Sequence, residues 1–150
     1  MIEGVVVKEL VKHTDERGFF MELIRQDDEF FKGVDFAQLS HSKAEEGVLK
    51  AWHLHQKQTD FMYVASGDIK LGLYDMRDDS PTKGVIMEVM MGESHSEAIV
   101  KIPPGVAHGY LITKGPMHII YLMDRVYDPD DIYYYDHDDP TIGYDWYAKK

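Results

Sequence analysis

The sequence predicts an all-β fold, an antiparallel sandwich or barrel forming one domain over residues 1–150, and three observations carry that prediction. Short runs rich in β-branched and aromatic residues recur along the chain, some with clean period-two alternation, as in Ile69-Lys-Leu-Gly-Leu-Tyr-Asp75. Turn signals separate these runs, among them Ser66-Gly67-Asp68 and Pro103-Pro-Gly105. There is no heptad pattern, long amphipathic helix, internal repeat or low-complexity linker.

Taken in order, Val5 to Val11 reads as the first strand and His13-Thr-Asp-Glu-Arg-Gly18 as a turn. Phe19-Phe-Met-Glu-Leu-Ile24 follows as a short strand with strong β-formers. In Gln26-Asp-Asp-Glu-Phe-Phe-Lys-Gly33, acidic residues lead into paired aromatics and a closing glycine, which predicts one or two short helical turns. Phe36 to His41 reads as another strand. The stretch from Gly47 to Gly67 holds a strand bearing His53, then Phe61 to Ala65, with a turn into Ile69–Asp75. After the loop Asp78–Gly84, strands are expected at Val85–Met91, Ala98–Ile102, Ala107–Ile112 and Met117–Met123.

Composition narrows the class further. Hydrophobic residues make up 44% and charged residues 29%, the mixture of an ordinary soluble domain. Cysteine is absent, which rules out disulfides and thiolate chemistry and fits a cytoplasmic location. The N-terminal residues lack the basic and apolar regions of a signal peptide, and no apolar run reaches the ~20 residues of a membrane span. A net charge of −11, concentrated late in the chain, argues against a nucleic-acid partner.

His53 and His55 are two residues apart, so on a strand they share a face. Asp60 follows, and the spacing from Gly47 to Gly67 is G-x5-H-x-H-x4-D-x6-G; later, Pro103 to His108 reads P-x-G-x-x-H. These two motifs resemble those of the cupin superfamily, which implies a cupin-type jelly-roll barrel. The first motif usually carries Glu where Asp60 stands, and the second usually ends in Asn where Ile112 stands. Two histidines, a carboxylate and a third histidine suit one divalent ion (zinc, iron, manganese or nickel), with His53, His55, Asp60 and His108 as ligands. The alternative is that the same histidines are hydrogen-bonded pocket groups without a metal.

A narrower pattern spans roughly 130 residues. Asp15-Glu-Arg-Gly-Phe-Phe-Met-Glu22, Gln38-Leu-Ser-His-Ser42, Gly47-Val-Leu-Lys-Ala-Trp-His53, Ser80-Pro-Thr82, Ile102-Pro103, Ala107-His-Gly-Tyr110, Tyr127-Asp-Pro129 and Asp139-Pro-Thr-Ile-Gly-Tyr-Asp-Trp146 occur in that order. This series resembles the dTDP-4-dehydrorhamnose 3,5-epimerase family, itself a jelly roll of the cupin class. The resemblance implies proton abstraction beside the C4 ketone of a dTDP-4-keto-6-deoxy sugar, with no cofactor required. It implies His53 as base and Tyr127 as acid, with Tyr121 and His108 lining the pocket. Arg17, Glu22 and Gln38 match nucleotide- and substrate-binding positions, and Lys50 stands where the family carries Arg. It also implies a homodimer in which strands pair across the interface.

Two departures from the pattern bear on the chemistry. The family's enolate-stabilising lysine falls on Asp60, where a carboxylate would repel an enolate. The aspartate that pairs with the family's base falls beyond the position of Lys150, so His55, Asp60 or another aspartate would have to orient His53. Three classes therefore stay open from the sequence. They are an epimerase of nucleotide-linked 4-keto sugars in polysaccharide biosynthesis, a metal-dependent cupin isomerase or dioxygenase on another small polar molecule, and a non-catalytic sugar-binding relative.

Overall fold

The structure is a computed structural model and describes residues 1–149. Ten strands run in the order β1 (Val6–Glu9), β2 (Lys12–Asp15), β3 (Gly18–Met21), β4 (Gln38–Ala44), β5 (Leu49–Leu54), β6 (Asp60–Asp75), β7 (Ile86–Gly92), β8 (Ala98–Ile102), β9 (Val106–Met123) and β10 (Tyr133–Tyr134). The helical turn expected in Gln26–Gly33 is a single 3₁₀ turn, Glu29–Phe31, which buries Phe31 against Phe61.

Strands β6 and β9 form the spine, paired antiparallel from Asp60↔Met123 to Asp75↔Val106. Each long strand serves two sets of neighbours. The start of β6 pairs with β8 and its second half with β7, while β9 pairs with β5 at one end and β4 at the other. Register shifts between Val64 and Ile69 bend the pair at the changeover, as bulges do, so both strands contribute to both layers of the cupin-like sandwich. Two expectations change here. Ser66-Gly67-Asp68 is a bulge inside one continuous strand rather than a hairpin turn, and Ala107–Ile112 and Met117–Met123 are also one strand. Gly67 permits the bulge because its φ is +77° and a Cβ there would lie 2.6 Å from the Lys114 carbonyl oxygen. The N-terminus differs as well: His13, Thr14 and Asp15 belong to β2, which pairs only with β3 as a separate two-stranded hairpin.

Alternation on β6 divides its surroundings. Ile69, Leu71 and Leu73 join Val100, Ile102, Ile112 and Ile119 in the main core, each such side chain stabilising by about 1.5–3 kcal/mol on burial. The opposite face of the same half-strand, at Lys70, Gly72 and Tyr74, is covered by the C-terminal segment. There Trp146 packs on Trp52, and the Lys70 ammonium donates to the Trp146 carbonyl. Nearer its start, β6 turns Phe61 and Tyr63 toward Phe31 and Ile99, leaving Asp60 and Met62 to face a cavity on the other side. No helix among the described residues is long and apolar enough to cross a membrane.

Candidate active site

The cavity has a volume of about 410 Å³, within the usual range for a small-molecule pocket. Strand β5 supplies Lys50, Ala51, Trp52 and His53; β6 supplies Asp60 and Met62; β9 supplies Tyr110, Tyr121 and Met123; β4 supplies Gln38 and Ser40. Tyr127, Ile132, Tyr134 and Tyr135 come from the segment after β9, which returns to β5 through the pairs Tyr133↔Leu54 and Tyr134↔His53. Lys50 is the only lysine or arginine lining the cavity among the described residues, and its ammonium donates to Ser42 Oγ at 2.9 Å.

Strand β5 ends at Leu54 and β6 begins at Asp60, so a short loop folds His55 back toward the carboxylate. Asp131 fixes that loop. Its carboxylate accepts the backbone N–H groups of Gln56, Lys57 and Gln58 at 2.9, 3.2 and 3.2 Å. Its carbonyl oxygen can only accept, so at 2.6 Å His55 must donate its Nδ1–H to it. His108 is held alike, its Nδ1–H donating to the Val106 carbonyl at 3.0 Å. With each Nδ1 committed to a backbone carbonyl, both rings turn Nε2 inward.

Both Nε2 atoms converge on Asp60. Its Oδ1 accepts from Gln58 Nε2 at 2.8 Å, while Oδ2 lies 3.2 Å from His108 Nε2 and 3.7 Å from His55 Nε2. The His108 contact has ion-pair distance but not hydrogen-bond alignment, so its buried Nε2 has no hydrogen-bond partner. Burial pushes the Asp60 carboxyl up, but His108, His55 and Gln58 together outweigh burial and hold it below its ordinary value. His53 is driven the other way. Burial, with His108 second, lowers it to about 3, leaving a neutral imidazole with a free lone pair. Its ring centroid is 4.1 Å from that of His108. Tyr121 is held in its phenol form, raised by burial and then by the charge of Asp60.

The expected site residues are distributed unevenly. His53, His55, Asp60, His108, Tyr121 and Lys50 converge on the cavity or its floor. Tyr127 is at the mouth, 57% exposed, with its backbone N–H donating to Gln38 Oε1 at 2.9 Å. Gln38 thus holds the Tyr127 backbone as well as lining the cavity. Arg17 and Glu22 lie outside this cavity: Arg17 Nε donates to Asp15 at 3.1 Å within the hairpin, and Glu22 accepts from Arg25. The four-ligand metal set contracts to three, because only His53, Asp60 and His108 present donor atoms all within 4.8 Å of one another. His55, whose Nε2 lies 3.7 Å from Asp60 Oδ2, falls outside that group. Sequence reasoning missed Gln58, Tyr110 and Asp131. Tyr110 lay in a matched block, whereas Asp131 was hidden in an acidic run that reads as solvated surface.

A jelly roll whose cavity sets a neutral histidine and a phenol among substrate-sized walls is the architecture of a sugar isomerase. The family model described as dTDP-4-dehydrorhamnose 3,5-epimerase matches residues 1–150, and the chain belongs to that family. The spore coat polysaccharide biosynthesis protein SpsL of Bacillus subtilis is 45% identical over 149 residues, covering 97% of each chain. The probable low-salt glycan biosynthesis epimerase Agl13 of Haloferax volcanii is 34% identical, over 96% of this chain and 89% of that one. Among solved structures, a dTDP sugar isomerase from Desulfovibrio desulfuricans superposes with a TM-score of 0.91 at 27% identity, covering 99% of this chain and 94% of that one. The dTDP-6-deoxy-D-glucose-3,5-epimerase RmlC of Legionella pneumophila, in complex with dTDP-4-keto-L-rhamnose, gives 0.89 at 26% identity, over 99% and 81%.

Proposed function

We propose that this protein inverts a carbon next to the ketone of a dTDP-linked 4-keto-6-deoxy sugar, with His53 as base and Tyr121 as acid. The observation that carries the reading is the pairing of a neutral imidazole and an un-ionised phenol on one cavity. His53 takes the proton beside the ketone, and the C–H electron pair moves into the carbonyl to give an enolate. The Tyr121 O–H then returns a proton to the opposite face, so the carbon inverts and the sugar keeps its formula. Geometry favours Tyr121 over Tyr127 for this role, because Tyr121 is in the wall beside Asp60 and Tyr127 is at the open mouth.

Lys50 is the cation available to the developing oxyanion, and the tyrosines at the mouth offer flat faces for the nucleotide. In the same proposal the protein works in the cytoplasm as a homodimer, without a cofactor. The β2–β3 hairpin supports the dimer. It leaves Phe19 and Phe20 58% and 64% exposed and carries Arg17 and Glu22 away from the chain's own cavity, where a second protomer would meet them. Incubating the protein with dTDP-4-keto-6-deoxyglucose in deuterium oxide and following the sugar by NMR tests the reading. Deuterium entering C3 or C5 with inversion is expected; an unexchanged sugar would overturn it.

A further inference from the structure

We infer that Asp60 sets the regiochemistry of this cavity: its carboxylate accepts a hydrogen bond from the 3-hydroxyl of the sugar and so directs inversion to C3 rather than C5. The contact follows from the charge and shape of the cavity, and the choice of carbon rests on His53 being the base.

Two opposite charges sort the atoms of the sugar. Lys50 is the one lysine or arginine lining the cavity among the described residues, and Asp60 is the one aspartate or glutamate. A carboxylate accepts hydrogen bonds and offers none, and it repels an oxygen on which negative charge gathers. The ketone oxygen, which becomes the enolate oxygen, therefore turns toward the Lys50 ammonium, and a hydrogen-bond donor of the sugar turns toward Asp60. Asp60 is built to receive one. Gln58 donates to its Oδ1 at 2.8 Å, and the Gln58 backbone N–H is held in turn by Asp131 at 3.2 Å, so the plane of the carboxylate is fixed. Oδ2 is the oxygen left for a ligand. His55 Nε2 is 3.7 Å from it, and His108 Nε2, at 3.2 Å, is not aligned for a hydrogen bond.

Distance selects the carbon. A ring nitrogen of His53 and a carboxylate oxygen of Asp60 lie within 4.8 Å of one another. A reacting base stands about 3–3.5 Å from its carbon, and a hydroxyl oxygen about 2.7 Å from the carboxylate oxygen it donates to. In a 4-keto-6-deoxy sugar C3 carries a hydroxyl, so one carbon satisfies both groups at that separation. C5 carries a methyl group and the ring oxygen, and neither can donate. With His53 over C5, a buried carboxylate would face the methyl group without a compensating hydrogen bond, which is costly. At C3 the reaction runs to completion with the groups present. His53 takes the C3 proton, the C–H electron pair moves into the C4 carbonyl, and the charge gathers on the oxygen at Lys50. Tyr121 then returns a proton to the opposite face of C3, and the sugar keeps its formula.

Affinities for sugar nucleotides that carry no ketone test the contact without reference to turnover. By calorimetry the wild-type protein should bind dTDP-6-deoxyglucose about tenfold to a hundredfold more tightly than its 3-deoxy counterpart. In Asp60→Ala that preference should fall below about threefold, with Asp60→Asn between the two and folding confirmed by circular dichroism. Equal affinities in the wild-type protein, which needs no variant, would overturn the contact, as would a preference that survives in folded Asp60→Ala. Deuterium exchange into dTDP-4-keto-6-deoxyglucose tests the choice of carbon. The label should enter C3 at least about tenfold faster than C5, and Asp60→Ala should narrow that ratio. Equal rates at the two carbons would overturn the choice of C3 while leaving the epimerase reading intact. Label at neither carbon would overturn that reading and the choice of carbon together, and the affinities would still decide the contact.

Discussion

Replacing Asp131 by alanine should destabilise the fold by about 3–4 kcal/mol, and the figure follows from which hydrogen bonds are lost and which water can replace. A bond from a backbone N–H to a carboxylate contributes about 1.5–3 kcal/mol, and Asp131 accepts three of them, from Gln56, Lys57 and Gln58. Gln56 and Lys57 are exposed, so water recovers much of those two; Gln58 is buried, and its N–H would be left unsatisfied at a further cost of about 1–3 kcal/mol. For a domain of this size the loss corresponds to a melting temperature lower by about 10 °C. Urea denaturation followed by circular dichroism measures it, with an unchanged m-value showing that stability alone moved. Asp131→Asn keeps one acceptor oxygen and should lose about half as much. A loss below about 1 kcal/mol for the alanine variant would refute the reasoning, since the loop carrying His55 to Asp60 would then not depend on this carboxylate.

Other outcomes follow from the same structure. Burial works against the charge on Asp75, but Arg77, Ser80 and Thr82 outweigh it and hold the carboxyl well below the usual range. Because the folded pKa is depressed, its stabilisation is complete above the unfolded value of about 3.8 and is lost as pH falls through the folded value. Asp75→Asn should therefore cost about 3 kcal/mol at pH 7 and progressively less below pH 4, measured by denaturation across pH. Gly72→Ala would place a Cβ 2.7 Å from Trp146 and 3.1 Å from Trp52, an overpacking worth about 1–3 kcal/mol. Since the chain's two tryptophans both lie in that cluster, their emission should shift even where the fold survives.

The fold was legible because alternation survives in strands with one face toward a core, as in Ile69, Leu71 and Leu73. Strand ends were harder to read. Gly67 looks like a hairpin turn in sequence, and only the close approach of the Lys114 and Met117 backbone reveals a bulge. His53 could be read from its matched block and His108 from the P-x-G-x-x-H spacing. The expected shared strand face of His53 and His55 does not hold, because β5 ends at Leu54 and His55 reaches the cavity from the loop beyond it. Asp131 could not be read, because its role depends on a contact across more than seventy residues, to a loop with no motif of its own. Arg17 shows the opposite limit. A matched block marks the residue, but the hairpin that carries it forms its own small sheet, away from the cavity of the same chain.

Comparing wild-type, His53→Asn and Tyr121→Phe proteins in deuterium oxide, with the label at each sugar carbon resolved by NMR, tests the central claim most directly. The account predicts that His53→Asn loses exchange by about 10²–10⁴-fold, whereas Tyr121→Phe still exchanges deuterium but yields little inverted sugar. Exchange at the wild-type rate in His53→Asn would contradict it.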